Sequence, residues 1–339
     1  MNTEGLFSVA KALVAPGKGI LAADESMGTI GKRFAKLQIP STEDNRRAYR
    51  NLLFTTPGVE AYVSGVILFD ETIRQTALDG TPFARLLLGK GIVPGIKVDT
   101  GAKDLAGFPG EKVTEGLDGL RERLVEYYQL GARFAKWRAV ITIGAGIPSA
   151  ACIAANAHAL ARYAALCQEA GLVPIVEPEV LMDGDHDIAR CESVTTVTLV
   201  ALYQALHENR VALEGTLLKP NMVLSGKDCP RQAGVLEVAA ATVRTLRATV
   251  PAAVPGIVFL SGGQTAVVAT EHLNAMNQMG PFPWELSFSY GRALQDPPLT
   301  TWKGLAANVP AAQKAFYHRS KLNSAARYGK YSKEMEALA

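Results

Sequence analysis

The chain has 339 residues, of which 48% are hydrophobic, so it is long enough to bury a large core. Its net charge is only +3 and charges of both signs are interspersed, which argues against the basic surface typical of nucleic-acid-binding proteins. The pI near 8.6 mildly favours anionic small molecules as ligands.

The N-terminal stretch MNTEGLFSVAKALVAPGKG has no basic region followed by an uninterrupted apolar one, because Lys11 interrupts the single apolar candidate. No apolar run approaches the length of about 18 residues that is typical of a membrane span. Cysteines stand at 152, 167, 191 and 229 without a CxxC pair and are expected to be reduced, packed thiols. These features predict a soluble, cytoplasmic protein without a membrane or nucleic-acid partner.

Residues 6–14 are expected to form an extra helix ahead of a series of short apolar runs, each bounded by Gly, Pro or Asp. Such runs are typical of strands that are buried on both faces. The eight runs, in chain order, are GILAADE from Gly19, SGVILFD from Ser64, VPGIKVD from Val93, FAKWRAV from Phe134, LVPIVEPEV from Leu172, GTLLKPNMV from Gly215, GIVFLSGG from Gly256 and WELSFSY from Trp284.

Helix-like segments lie between most of these runs, and the irregular connection after Asp70 is expected to hold a short helix and a loop. Eight β-then-α units in this length predict an α/β fold, specifically a (β/α)8 TIM barrel with an extra N-terminal helix. No linker or repeat divides the chain, so a single domain over 1–339 is predicted, with a short tail after about residue 331. The helix-like segments include 42–54, 116–130, 149–170, 191–209 and 232–249.

Polar residues cluster at the predicted strand ends, which is where a TIM barrel carries its active site. Spacing of i, i+2 puts both members of a pair on one side of a strand, so these groups are expected to meet at one mouth with an excess of positive charge. They are Asp24, Lys97, Asp99, Lys136, Arg138, Glu177, Glu179, Lys219, Asn221, the Ser261–Gly263 segment and the Tyr290–Arg292 segment.

The last two strands match the recurrent phosphate site of such barrels. Gly262 and Gly263 would let backbone N–H groups approach a phosphate closely, and Arg292 would donate to it in bidentate fashion. The ligand is therefore expected to be phosphorylated.

A buried lysine among other cations can serve as a nucleophile, since desolvation and like charge favour the neutral amine that attacks a carbonyl. Lys219 is modestly favoured because leucines precede it and a proline follows it, but Lys136 or Lys97 could act instead. The competing interpretation is that these lysines form structural ion pairs with Glu177 or Asp24.

Three other patterns are given less weight. GAGIPS at 144–149 ends in serine where a dinucleotide fingerprint has glycine, so it is interpreted as a turn before a capped helix. DGDHD at 183–187 lacks the glycine and distal glutamate of a calcium loop and is interpreted as a solvated loop. No histidine accompanies Ser261 in a triad-like arrangement, which argues against hydrolase chemistry.

Taken together, the motifs resemble those of the class I, Schiff-base fructose-bisphosphate aldolases, in order from Gly17 to about Tyr331. The matching stretches are GKGILAADES, GVILFDET, GIKVD, LDGLRER, FAKWRAV, IVEPE, DGDHD, EGTLLKPNMV, FLSGGQ and SYGRAL. The resemblance implies a TIM barrel without a cofactor or metal, acting on sugar phosphates in glycolysis and gluconeogenesis. It also implies a homotetramer.

The resemblance also implies roles for individual residues. Lys219 would form the Schiff base, Lys136 would assist carbinolamine formation and dehydration, and Glu177 would be the general acid/base. Glu179 would support the electrostatics of the lysines, and Asp24 would orient the amine and a substrate hydroxyl. The ketone phosphate would lie on Ser261, Gly262, Gly263, Gly291 and Arg292, and the other end of the substrate on Lys97, Arg138, Thr29 and Arg33.

One departure from vertebrate members concerns their C-terminal tyrosine, which helps to protonate the enamine. This chain ends EMEALA, so either Tyr331, Tyr328, Glu177 or solvent replaces it, or the protonation step is slower. Two alternatives remain open at this point, namely another Schiff-base aldolase of sugar phosphates and a non-catalytic sugar-phosphate-binding protein.

Overall fold

The computed structural model describes residues 3–337, which form ten strands and twelve α-helices. The strands are β1 (Gly19–Ala22), β2 (Val63–Leu68), β3 (Val93–Lys97), β4 (Gly101–Asp104), β5 (Lys112–Glu115), β6 (Phe134–Ile141), β7 (Val173–Val180), β8 (Leu217–Leu218), β9 (Gly256–Phe259) and β10 (Glu285–Tyr290). The helices are α1 (Thr3–Leu13), α2 (Met27–Ala35), α3 (Glu43–Phe54), α4 (Asp70–Arg74), α5 (Phe83–Gly89), α6 (Leu120–Gln129), α7 (Ala150–Glu169), α8 (Ile188–Glu208), α9 (Val235–Thr249), α10 (Ala266–Asn277), α11 (Arg292–Trp302) and α12 (Val309–Arg327).

Eight of the strands close into a parallel barrel in the order β1-β10-β9-β8-β7-β6-β3-β2, with β2 pairing back to β1. Each of the eight apolar runs in the sequence contributes one barrel strand, so the predicted TIM barrel is confirmed. The runs lack alternation because both faces of these strands are covered, one by the barrel interior and the other by helices. In β7, for example, every residue is buried.

Helix α1, expected from the sequence, covers the amino-terminal end of the barrel. Its buried residues Leu6, Ala10 and Leu13 pack with apolar side chains of the barrel interior. A Cβ atom on Gly65 would come within 2.6 Å of Leu13, so glycine is required for this close approach. With this end filled, the carboxyl end of the barrel is left for the site.

The antiparallel hairpin of β4 and β5 was not predicted. Its strands are short and largely exposed, so they carry no apolar run that would reveal them. The helix predicted at 116–130 begins later, at Leu120, because Gly119 adopts the left-handed conformation before it. The connection after Asp70 holds α4 and α5, as expected.

Candidate active site

A cavity of about 430 Å³ opens at the carboxyl ends of the barrel strands. Because the strands are parallel and the barrel is closed, residues that are distant in sequence meet at this one end. The lining includes every site residue named from the resemblance except Gly263: Asp24, Thr29, Arg33, Lys97, Lys136, Arg138, Glu177, Glu179, Lys219, Ser261, Gly262, Gly291 and Arg292.

Three buried side chains and the half-buried Asp24 form a lysine–carboxylate cluster at the floor of the cavity: Asp24, Lys136, Glu177 and Lys219. Lys136 Nζ lies 2.7 Å from Asp24 Oδ2 and 3.0 Å from Glu177 Oε2. Lys219 Nζ lies 3.2 Å from Glu177 Oε1. Lys136, Glu177 and Lys219 are each 3% exposed, so their charges interact with little screening by water.

The charges of this cluster are mutually stabilised. Burial opposes ionisation of Asp24, but attraction to Lys136, Lys219 and Lys97 outweighs it and holds the Asp24 pKa well below its usual range. Burial also opposes ionisation of Glu177, yet its pKa is lowered, chiefly by Lys136. Burial opposes protonation of Lys136, but Asp24 and Glu177 raise its pKa, so Lys136 stays cationic.

One carboxylate oxygen of the cluster is available as a proton acceptor. Glu177 Oε2 is buried and accepts no hydrogen bond within residues 3–337, although Lys136 Nζ lies near it as an ion-pair partner. Buried polar atoms are normally hydrogen-bonded, and an exception calls for an explanation such as a catalytic role. An ionised carboxylate that contacts two lysines at the cavity floor is suited to act as a general base.

Lys219 reaches this cluster from the end of β8. Its backbone N–H donates to Val176 O at 2.8 Å, which continues the ladder between β7 and β8 for one residue. Pro220 lacks an N–H, so the ladder stops there. Leu217 and Leu218 before it are fully buried, which fixes the backbone from which the amine projects.

Two further ion pairs surround the cluster. Arg138 Nε donates to Glu179 Oε2, and Lys97 Nζ lies 3.1 Å from Asp99 Oδ1. Burial opposes the charge of Arg138, but the pairing with Glu179 raises its pKa. The cavity therefore combines an anchored acid/base cluster with cations at its wall.

Glycine-rich segments line the wall opposite Lys97. Gly262 and Gly263 both adopt positive φ, +54° and +84°, in the turn after β9. Gly263 belongs to the same turn and lies beside Arg292, since an added Cβ would come 3.3 Å from Arg292 Nη2. It does not line the cavity itself, and its role in binding a phosphate stays a prediction.

The N-terminus of α2 faces the cavity and adds the hydroxyl of Ser26, which was not predicted, beside that of the predicted Thr29. Ser26 caps this helix by accepting from Thr29 N at 3.4 Å, and the two hydroxyl oxygens are 3.1 Å apart. Ser26 lies two residues after Asp24 in the loop between β1 and α2, and its N-cap position was the available signal. The lining residues missed from the sequence are Ala22, Glu25, Ser26, Lys32, Lys36, Leu260 and Ser289.

Glu25 is the charged partner of Arg33. Its carboxylate accepts from Arg33 Nη1, Arg50 Nη2 and Gln295 Nε2, each at 2.6 Å. Arg33 Nη2 lies 3.8 Å from the position of a Cβ on Gly291. Arg33 therefore borders the Gly291 end of the cavity. The resemblance had implied that Arg33 binds the other end of the substrate, together with Lys97.

Asn221 does not share the mouth with Lys219, contrary to the expectation from their spacing. Its Oδ1 accepts from Val180 N at 3.0 Å, and its Nδ2 donates to Thr195 of α8 at 3.2 Å. The chain leaves regular strand geometry after Pro220, so the i, i+2 rule no longer applies.

Neither C-terminal tyrosine lines the cavity. Tyr331 donates from its hydroxyl to Glu336 Oε1 at 2.7 Å, and the same carboxylate pairs with Arg319. Tyr328 lies against Gly17, which precedes β1 at the amino-terminal end of the barrel. Both tyrosines are thus held away from the lysine–carboxylate cluster.

The other sequence patterns occupy structural positions. The GAGIPS segment forms the turn between β6 and α7, where Ser149 Oγ caps α7 by accepting from Cys152 N at 3.1 Å. Within residues 3–337, the His, Cys, Asp and Glu side chains form no group of three or more arranged to hold a metal ion. In the same range, no helix is both long and apolar enough to cross a membrane.

The fold and the site define a class: a TIM-barrel enzyme with buried lysines and carboxylates at the carboxyl end of the strands. Family comparison agrees, since the model of the family "Fructose-bisphosphate aldolase class-I" matches residues 5–339. The chain belongs to the class-I fructose-bisphosphate aldolase family.

Similar proteins extend over nearly the whole chain. A probable fructose-bisphosphate aldolase class 1 of Xanthomonas campestris pv. campestris is 63% identical over 98% of this chain and 99% of its own length. A cytosolic fructose-bisphosphate aldolase of Arabidopsis thaliana is 58% identical over 96% of this chain and 91% of its own length. A solved fructose-bisphosphate aldolase of Plasmodium falciparum is 51% identical, with a TM-score of 0.96 over 97% of this chain and 95% of that chain.

Proposed function

We propose that this chain cleaves fructose 1,6-bisphosphate reversibly into dihydroxyacetone phosphate and glyceraldehyde 3-phosphate through a Schiff base on Lys219. The observation that carries the proposal is the position of Lys219 Nζ, 3.2 Å from Glu177 in a buried cluster, with cationic and glycine-rich walls on either side. Family membership supports the reaction, and the geometry supports the division of roles.

The first half of the reaction uses the two lysines. The neutral amine of Lys219 attacks the C2 ketone, and loss of water gives a protonated imine. Lys136, kept cationic by Asp24 and Glu177, pairs with the same carboxylate as Lys219, where it supplies a proton for the departing hydroxyl.

Cleavage uses Glu177. Its carboxylate takes the proton of the C4 hydroxyl, the C3–C4 bond breaks, and the bonding electrons move into the imine to give an enamine. Glyceraldehyde 3-phosphate leaves. The imine accepts electrons far better than a ketone does, so the chemistry needs no metal to polarise the carbonyl.

The enamine is then protonated at C3, and hydrolysis of the resulting imine by water releases dihydroxyacetone phosphate. We propose that Glu177, which holds the proton taken from C4, or a water beside it performs this step. Tyr331 is occupied by Glu336, and Tyr328 packs at the opposite end of the barrel, so neither is positioned to donate.

Borohydride reduction tests the proposed intermediate. In the presence of dihydroxyacetone phosphate, we expect a covalent adduct that mass spectrometry of a peptide digest places on Lys219. Turnover should survive dialysis against a chelator. An absent adduct, or activity lost with the chelator and restored by metal, would rule out the Schiff-base mechanism.

Lys97→Met is expected to weaken binding of the second phosphate of the substrate without affecting the first. Lys97 lies across the cavity from the Ser261 turn, so its ammonium group is placed to meet the second phosphate. A charge-assisted hydrogen bond is worth about 1.5–3 kcal/mol, so KM for fructose 1,6-bisphosphate should rise roughly 10–100-fold.

Fructose 1-phosphate, which lacks the second phosphate, is the internal control for Lys97→Met and should keep its KM within about twofold. A matched control variant is Lys103→Met, since Lys103 is exposed on the β4–β5 hairpin. If both sugars lose affinity equally, Lys97 does not discriminate them, and an aldolase for another, singly phosphorylated sugar becomes the better proposal.

We further propose that the chain forms one aldolase domain over 1–339 and assembles as a homotetramer in the cytoplasm, serving glycolysis and gluconeogenesis. The family model reaches from residue 5 to 339, which supports the single domain. Two similar Arabidopsis aldolases carry "cytosolic" in their names, which supports the location. The tetramer rests on the family resemblance alone.

A further inference from the structure

The turn at the end of β9, residues 261–264, is held from behind by a side chain that lies outside the main cavity. Gln264 donates twice to one carbonyl: its backbone N lies 2.9 Å from Ser261 O, and its side-chain Nε2 lies 3.0 Å from the same oxygen. The turn between them contains two glycines at positive φ, which impose little steric restraint of their own. Its shape therefore depends on the bonds of Gln264.

The orientation of the Gln264 amide is in turn fixed by His272 of α10. His272 is 4% exposed, and its Nδ1 lies 2.6 Å from Gln264 Oε1. Because Gln264 Nε2 is the donor to Ser261 O, Oε1 must be an acceptor, and His272 Nδ1 must carry the proton. Burial lowers the pKa of His272 to about 4, with an opposing effect of Glu271, so the ring is neutral near neutral pH and keeps one tautomer.

The turn also touches the guanidinium of Arg292. A Cβ atom on Gly263 would come 3.3 Å from Arg292 Nη2 and 3.3 Å from Met182 Sδ, so the turn and the arginine are packed without spare room. A displacement of the turn would therefore change the position of the backbone of Ser261 and Gly262 relative to Arg292, three groups that line the same wall of the cavity.

We propose that His272, acting through Gln264, is a positioning residue for the phosphate-binding turn at 261–263. It touches no substrate atom; it holds the Gln264 amide in the orientation that fixes the turn. The inference rests on the proposed function, in which this wall binds the phosphate of the ketone half. That phosphate is present in both fructose 1,6-bisphosphate and fructose 1-phosphate, so the effect on the two substrates should be equal.

The test compares His272→Leu with His272→Asn, using steady-state kinetics on both sugars. Leu removes the donor to Gln264, whereas the Asn Nδ2 lies in the same position on its side chain as Nδ1 of histidine and can donate in its place. We expect His272→Leu to raise KM for both sugars about tenfold, with kcat changed less than about twofold. His272→Asn should restore KM to within about twofold of the wild type.

His158→Leu is the matched control, because His158 is exposed on α7 and makes no contact with the turn. If His272→Leu fails to fold, Gln264→Met removes the side-chain hydrogen bonds to Ser261 and His272 instead and should give the same tenfold rise in KM. Where both single variants fold, the KM of the double variant should be no higher than that of either single variant, since both substitutions interrupt the same series of hydrogen bonds.

Three results would overturn the inference: an unchanged KM in His272→Leu and in Gln264→Met, a rise limited to fructose 1,6-bisphosphate, or equal losses in the Leu and Asn variants. Borohydride trapping on Lys219 in the wild type separates this failure from failure of the proposed function. An adduct on Lys219 together with an unchanged KM would reject the role of His272 and leave the Schiff-base mechanism standing.

Discussion

Lys219→Met is expected to lower kcat for fructose 1,6-bisphosphate by about 10⁴-fold or more, because the variant lacks the amine that forms the imine. Methionine keeps an unbranched apolar stem of similar length in the buried position between Leu218 and Pro220. Glu177 keeps Lys136 as an ion-pair partner, so the fold should survive. The measurement is turnover in a coupled assay, together with borohydride trapping and mass spectrometry.

Phosphate-ligand binding separates lost chemistry from lost structure in this variant. Lys219→Met should bind inorganic phosphate as the wild type does, because the 261–263 turn and Arg292 are unchanged. Lys103→Met on the exposed hairpin is the control and should retain full activity. An adduct that persists in Lys219→Met and maps to Lys136 would exchange the roles of the two lysines.

Glu177→Gln is expected to lower kcat by about 10²–10⁴-fold, because the amide cannot take the C4 hydroxyl proton. The substitution keeps the size of the side chain but removes the anion that lies between Lys136 and Lys219. Adducts of dihydroxyacetone phosphate on Lys219 should still form, more slowly, since that ligand needs no C3–C4 cleavage. Complete loss of the adduct would assign Glu177 to imine formation instead of cleavage.

The same variant gives a pH-dependent stability test. The pKa of Glu177 is lowered in the fold, against the effect of burial, by Lys136, Lys219 and Arg138. A carboxyl group with a depressed pKa stabilises the fold above its ordinary value of 4.5 and loses that contribution as the pH falls through the folded pKa. Urea unfolding at a series of pH values should therefore show the stability gap between wild type and Glu177→Gln narrowing below about pH 4.5.

A gap that is constant across that range would mean that the pKa of Glu177 does not change on folding, and a gap that shifts in favour of the wild type as the pH falls would mean that the folded pKa is raised. Asp24, whose pKa is also depressed, is present in both proteins and cancels in the comparison. The acid limb of the kcat profile gives an independent reading, because a base with a depressed pKa stays active to correspondingly low pH.

Much of the architecture could be predicted from local pattern. The eight apolar runs became the eight barrel strands because strands covered on both faces leave a continuous apolar signature in sequence. The hairpin of β4 and β5 left no such signature, since it is short, β4 is largely exposed, and β5 is held by hydrogen bonds of Thr114 to Asn156 and Arg138.

The residues of the candidate site could be predicted where they stand at the carboxyl ends of barrel strands. Lys136, Glu177 and Lys219 could be placed at one mouth because every strand of a parallel barrel ends on the same side. Asn221 failed the same rule because Pro220 ends the strand before it. Glu25 was missed because it is one acidic residue beside another in the sequence, and only the fold brings Arg50 and Gln295 to its carboxylate.

By itself, then, the sequence determined the barrel, its N-terminal helix and which residues stand at the strand ends, because these depend on periodicity and chain order. The tertiary structure decided which charges pair, which lysine meets each oxygen of Glu177, and that His272 on an outer helix reaches the turn at 261–264. Such contacts join segments that are distant in sequence, and their geometry depends on how the strands and helices pack around a common core. Tyr331 belongs to the same category: its residue type suggested a proton donor, but the packing of α12 and the tail places its hydroxyl on Glu336.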